Sequence, residues 1–284
     1  MSSTRSHRRL GTRFLLWFAI VTGLGLAALF AVVQWTPQPV AQARGGDEML
    51  RFVRRVLGST EDVWDRLFAS AGATYEKPKL VIFSGALPTA CGTGLAASGP
   101  FYCPLDRKLY LDFEFFDQLA RRYEARGDFA QIYVIAHEVA HHVQTSLGIE
   151  ERVHAFELRA PGVAANQVLV RFELQADCLA GVWASMVQER LELGDLEEAF
   201  AATKALGDDT IDQKTTGVVV PDSFTHGTAE QRTNWFKRGL AAGQIQACNT
   251  FDTPDIMGTL DPAAAARINR LLSRELPAIQ KGTN

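Results

Sequence analysis

His137, Glu138 and His141 place two imidazoles four residues apart, with a carboxylate beside the first. On a helix, positions i and i+4 share a face, so both rings can reach one ion while Glu138 stands next to it without ligating it. Two neutral nitrogen donors and an adjacent base are what a hydrolase needs to activate water on zinc. The pattern is short, but the chain has only six histidines, and His137, His141 and His142 are three of them. A catalytic zinc takes three protein ligands and keeps one position open. Glu173 and Asp177, again four apart, are the candidates for the third: one can bind metal while the other holds a ligand in place, and spacing alone does not say which. The competing reading is a solvated acidic stripe or a salt bridge to Arg171. The Leu-, Ala-, Val- and Trp-rich stretch that carries the pair favours the metal.

These residues need helices to hold them. The motif helix is expected from Asp128, after Gly127, to just before Gly148, with Phe129, Ile132, Ile135, Ala136, Val139 and Val143 as its apolar stripe. A second long helix is expected from about Asn166 to Glu189, and a third over 196–206 with Asp195 as its cap. Thr228 and Gln231 form a capping-box pattern for a helix through Trp235 and Leu240. Asp261-Pro262 opens a last one. Nearer the start, 47–57 and 59–69 have helical periodicity, with Ser59 as N-cap of the second. KLVIFS (79–84) and KLYLDF (108–113) read as strands, separated by turn-forming residues 85–104, and 115–125 as a short helix. The pattern is helix-dominated with two or three strands, an α+β class without internal repeats.

At 284 residues with 47% hydrophobic and 21% charged residues, the chain is a packed globular protein. Its net charge of −3 argues against general nucleic-acid binding. Residues 1–46 contain no acid, and Arg5, Arg8, Arg9 and Arg13 crowd the start. Phe14 to Val33 is twenty uncharged, apolar residues, about 30 Å as a helix and long enough to cross a bilayer. Basic residues stay on the cytoplasmic side, which puts the body outside. The length favours an uncleaved anchor over a secretory signal cut after Ala41-Gln42-Ala43. The expected organisation is a basic cytoplasmic tail (1–13), a transmembrane anchor (14–35), a linker (36–46) and one domain (47–284). Four cysteines in an exported domain suggest disulfides. Cys91 with Cys103 and Cys178 with Cys248 is the most economical of three pairings, and no CxxC spacing supports a four-cysteine zinc.

The extended motif HExxHxxGxxH is absent, because Gln144 and Leu147 occupy its glycine and third-histidine positions, which excludes the metzincins. His142 is expected to pack or hydrogen bond beside the site, and His154 to lie on the surface. Glu173-Leu-Gln-Ala-Asp177 resembles the ExxAD half of gluzincin peptidases. GPFYCP (99–104), YVIAHEVAHHVQ (133–144), ELQADCLAGVW (173–183), FTHGT (224–228) onward to Arg232, and CNTF (248–251) resemble the bacterial neutral zinc metallopeptidase family, membrane-anchored proteins. The resemblance spans roughly 50–252 together with the N-terminal anchor; the last thirty residues lie outside it. It departs at Ala140, where glycine is expected.

The resemblance implies a zincin-like metallopeptidase domain with a small β-sheet, Glu173 as third zinc ligand and Asp177 as the group that orients His137. Glu138 is then the general base. His226, in a loop of turn and polar residues, is the leading candidate to stabilise the oxyanion, with Tyr110 and Tyr133 behind it; the plainer role for His226 is a helix-entry cap beside Thr228. His226 and Arg232, six apart, resemble a His/Arg element in related membrane-linked gluzincins. The expected activity is a zinc-dependent endopeptidase anchored in the bacterial cytoplasmic membrane and acting on polypeptide outside it. The family architecture suggests 108–113 as the strand edge that receives substrate. The alternatives are a non-catalytic zinc-bound envelope scaffold and a zinc amidase for a non-peptide amide.

Overall fold

The computed structural model describes residues 40–95, 99–160 and 162–251. Among these no helix is long and apolar enough to cross a membrane. The apolar run at 14–33 and the helix expected after Asp261 both lie outside the described residues.

Helix α1 runs unbroken over Val40–Ser70. The expected linker therefore overlaps helix from residue 40, and the expected break at Ser59 does not occur. Val53, Val56, Leu57, Val63, Trp64 and Phe68 are all buried, so one apolar stripe continues through Gly58 and Ser59. Thr60 follows that point and donates its hydroxyl to the Leu57 carbonyl at 2.8 Å, bonding back into the helix rather than starting a new one.

Five short strands follow: β1 (Lys79–Ile82), β2 (Ala86–Thr89), β3 (Gly92–Leu95), β4 (Phe101–Cys103) and β5 (Lys108–Leu111). β2 and β3 form an antiparallel hairpin. The other sheet has the order β1-β5-β4, with β1 parallel and β4 antiparallel to β5. β5 is thus the central strand, which corrects its assignment as the exposed edge: Leu109, Tyr110 and Leu111 are buried, and both sides of the strand are paired. The edges are β1 and β4, neither of which has a strand partner on its far side among the described residues. A disulfide joins Cys91 to Cys103 and ties the hairpin to β4.

The remainder is helical: α2 (Phe113–Arg121), α3 (Asp128–Ser146), α4 (Ile149–Glu157), α5 (Val163–Met186), α6 (Asp195–Ala205), α7 (Asp208–Thr215) and α8 (Ala229–Ala242). α3 spans the expected range, and α8 begins with the expected capping box, Thr228 and Gln231 satisfying each other's backbone N–H groups. α5 and α8 cross in close contact. A Cβ on Gly181 would lie 2.1 Å from the Phe236 carbonyl oxygen, and one on Gly239 would lie 1.9 Å from that of Cys178. Only glycine at both positions lets the two backbones approach this closely. One core, including Trp64, Phe116, Tyr133, Leu174 and Phe236, joins α1, α3, α5 and α8. The second disulfide, Cys178–Cys248, pins the turn Ile245–Cys248 to α5.

Candidate metal centre

α3 presents His137 and His141 from successive turns, their ring centroids 4.8 Å apart. α5 presents Glu173 and Asp177 in the same way. Where the helices meet, Glu173 Oε2 lies 3.0 Å from His137 Nε2 and 3.5 Å from His141 Nε2. Asp177 is a turn further along and fully buried, and its Oδ1 accepts from His137 Nδ1 at 2.9 Å. A carboxylate can only accept, so Nδ1 carries a proton, and in the neutral ring the lone pair is on Nε2, which faces Glu173.

Arg232 on α8 completes the buried group. Its Nε donates to Asp177 Oδ2 at 2.9 Å and its Nη2 to Oδ1 at 3.0 Å, a bidentate fork. Tyr133 also donates its hydroxyl to Asp177 Oδ1 and accepts from Arg232 at 3.0 Å, while Arg232 Nη1 reaches the Leu206 carbonyl at 2.8 Å. The glycine-dependent crossing of α5 and α8 brings Arg232 within reach of Asp177. Arg171 does not pair with either acid; it is buried on the carbonyls of Thr250 and Phe251. That removes a salt bridge to Arg171 as the account of Glu173 and Asp177.

The electrostatics point to a site built for positive charge. Burial would lower the pKa of His137, but the Asp177 charge and its hydrogen bond, with Glu173, outweigh it and raise it to about 9. His141 is likewise raised, burial being outweighed by Glu173. Burial would raise Glu173, yet the charges of His141 and His226 and the hydrogen bond from His137 hold it well below the usual carboxylate range. Asp177 is lowered against its burial by Arg232 and His137. Two imidazole lone pairs facing one carboxylate oxygen repel unless a proton or a cation lies among them. Ligand atoms of a tetrahedral zinc with bonds of about 2.0–2.1 Å stand about 3.3–3.4 Å apart, and the two separations here bracket that value. The donor set, two imidazoles and one carboxylate, fits a catalytic zinc with an open position.

Beside these three lies Glu138, whose carboxylate comes within 4.8 Å of the imidazole nitrogens of His137 and His141. Burial raises its pKa against the charges of His141 and His137. All four side chains line a cavity of 420 Å³, which β4 borders through Phe101 and Tyr102. His226 lines the cavity from the opposite loop and is about half exposed. The cap of α8 is Thr228, so His226 does not serve as one. Its loop is fixed by Asp208, whose Oδ2 accepts from the backbone N–H groups of Thr225, His226 and Gly227 at 2.8, 2.7 and 3.0 Å.

The other candidates are occupied elsewhere. Tyr133 is committed to Asp177, and Tyr110 donates to Asp106 at 2.6 Å. His142 is buried between the Tyr102 hydroxyl and the Glu76 carbonyl, tying α3 to edge strand β4. His154 is exposed beside Glu157. Sequence reasoning missed the glutamines behind His141. Gln144 follows His141 by three residues, close to one helical turn, which is the one signal the sequence held for it.

A family described as "Putative neutral zinc metallopeptidase" matches residues 12–251. The chain belongs to this family. Within it, the chain is 49% identical to the Escherichia coli (strain K12) protein called Uncharacterized protein YpfJ over 225 residues, 76% of this chain and 78% of that one. It is 40% identical to Uncharacterized protein Rv2575 of Mycobacterium tuberculosis (strain H37Rv) over 230 residues, 76% of this chain and 77% of that one. No solved structure matches the chain. The family model takes in both paired motifs, on α3 and α5, and the His226 loop.

Proposed function

We propose that the chain is a zinc-dependent endopeptidase, held in the bacterial cytoplasmic membrane by residues 14–35 and acting on polypeptide outside it. The observation that carries this reading is the convergence of His137 Nε2, His141 Nε2 and Glu173 Oε2 beside a buried Glu138. His137, His141 and Glu173 would hold the zinc, which when bound supplies Lewis acidity that lowers the pKa of water and polarises a carbonyl. Asp177, itself fixed by Arg232 and Tyr133, keeps His137 in the tautomer that leaves Nε2 free. Glu138 takes the proton of the attacking water and delivers it to the leaving amine; its raised pKa makes it a stronger base than an exposed carboxylate. His226, facing the same cavity from its pinned loop, donates to the oxyanion that forms. β4 offers a strand edge unpaired among the described residues at the cavity, suited to the extended backbone of a peptide. Two disulfides agree with an oxidising compartment.

The test is Glu138→Gln with unfolded polypeptide and with cell-wall fragments as parallel substrates. The variant should bind zinc like the wild type and cleave polypeptide about 10²- to 10⁴-fold more slowly. Equal cleavage by both proteins would refute the role of Glu138. Wild-type cleavage of wall fragments alone would favour the amidase, and no cleavage of either would favour a scaffold.

A further inference from the structure

His141 is held from behind by a different kind of group from the one that holds His137. Its Nδ1 lies 2.9 Å from Gln144 Oε1. Gln144 Nε2 donates to the Phe172 carbonyl at 2.7 Å and to Gln175 Oε1 at 3.0 Å. Gln175 Nε2 donates in turn to the Cys248 carbonyl at 3.0 Å. Both glutamines are buried.

The direction of this chain can be deduced. A backbone carbonyl only accepts, so the Cys248 carbonyl requires the Gln175 amide nitrogen and turns Gln175 Oε1 toward Gln144. The Phe172 carbonyl independently requires the Gln144 nitrogen, which turns Gln144 Oε1 toward His141. An amide oxygen also only accepts, so His141 carries a proton on Nδ1, and in the neutral ring that binds a metal the lone pair is on Nε2, beside Glu173. Two backbone carbonyls thus set the tautomer of a side chain on another helix. Cys248, which supplies one of them, is bonded through its sulfur to Cys178 on α5. Phe172 acts twice, since its ring also stacks on the His141 imidazole with centroids 5.0 Å apart.

We propose that Gln144, backed by Gln175, is a positioning residue that fixes the tautomer and orientation of His141 for metal binding. This rests on the zinc reading of the same site. Asp177 orients His137 with an anion that Arg232 neutralises. Gln144 orients His141 with a neutral amide, so neither support adds net charge to a cavity that already holds Glu138 and Glu173. A buried amide pair that merely fastened α3 to α5 would matter for stability alone.

Gln144→Met and Gln144→Glu separate the two roles. Methionine removes the acceptor for His141 Nδ1–H; glutamate keeps it but loses both amide donors. Zinc affinity is measured by chelator competition and stability by thermal unfolding of the metal-free proteins. Gln144→Met should bind zinc about 10- to 100-fold more weakly, the range typical of lost partners behind a ligand. Gln144→Glu should be no more stable than Gln144→Met yet recover most of the affinity. Affinity that follows stability across the variants, or an unchanged affinity in Gln144→Met, would overturn the proposal. Nitrogen NMR of the zinc-loaded wild type needs no variant to fold: it should show His141 protonated at Nδ1, and a proton on Nε2 would overturn the proposal. A wild type that binds no zinc would instead remove the metal reading, and this role with it. Binding that is equal in wild type and variant removes only the role of Gln144.

Discussion

Replacing Asp177 by Asn keeps the shape of the side chain and removes its charge. Asp177 Oδ1 accepts from Tyr133, His137 and Arg232, and Oδ2 accepts from Arg232 Nε. An amide nitrogen at the Oδ1 position would face three donors. The least costly placement puts it at the Oδ2 position, against Arg232 Nε–H. His137 then keeps its acceptor, while Arg232, 4% exposed, loses one bond of its fork and the carboxylate charge it is paired with. Removing one partner of a buried pair typically costs about 3–5 kcal/mol, because the other charge is stranded. That is a large part of a typical domain stability of roughly 5–15 kcal/mol. Urea unfolding of the metal-free protein measures it through a shift in midpoint at unchanged slope. Zinc affinity should fall less steeply, by about 10-fold, since the tautomer survives and only the basicity of His137 drops. The double variant Asp177→Asn/Arg232→Met should recover part of the lost stability, because no guanidinium is left unpaired. An Asp177→Asn protein within about 1 kcal/mol of wild type would refute this account of the buried group.

Protons should compete with metal. In the metal-free protein, His137 has a folded pKa of about 9 against an ordinary 6.5, so its contribution to stability is full below pH 6.5 and is lost as pH rises through 9. Glu173 and Asp177, both lowered, contribute above their ordinary values of 4.5 and 3.8 and lose that contribution in acid. Urea midpoints taken with chelator should therefore fall on the alkaline side, and zinc should abolish that fall; identical alkaline profiles with and without zinc would contradict the assignment. Gly239→Ala places a methyl 1.9 Å from the Cys178 carbonyl oxygen, so α8 must move away from α5. A cost of about 1–3 kcal/mol is expected, with weaker hold of Arg232 on Asp177 and reduced zinc affinity; a wild-type melting temperature would show that the crossing tolerates the methyl.

The readable parts of the site were those compressed into single helical turns. His137, Glu138 and His141 lie within five residues, and Glu173 and Asp177 within five more, so their spacing already placed each set on one face. The structure brings His137, His141 and Glu173 around one point, where spacing alone had left Glu173 and Asp177 interchangeable. The capping box at Thr228 was legible because both partners lie within one turn. What escaped depends on tertiary placement. β2, β3 and β4 are three or four residues long, and β2 and β3 carry Pro or Gly, so no period-two pattern can show. Which strand forms the edge follows from pairing order, and β5 became central because β1 and β4 both found it. α1 continued through Gly58 because its buried stripe outweighed the local breaking signal. Gln144 lies one turn from His141, but its link to Gln175 exists only once α3 and α5 are placed together.

Metal bound per chain tests the central claim most directly. Purified wild-type protein should retain one zinc per chain through dialysis, and Glu173→Ala and His137→Ala should each lose it while remaining folded. A Glu173→Ala protein that keeps one zinc at wild-type affinity would contradict the three-ligand site.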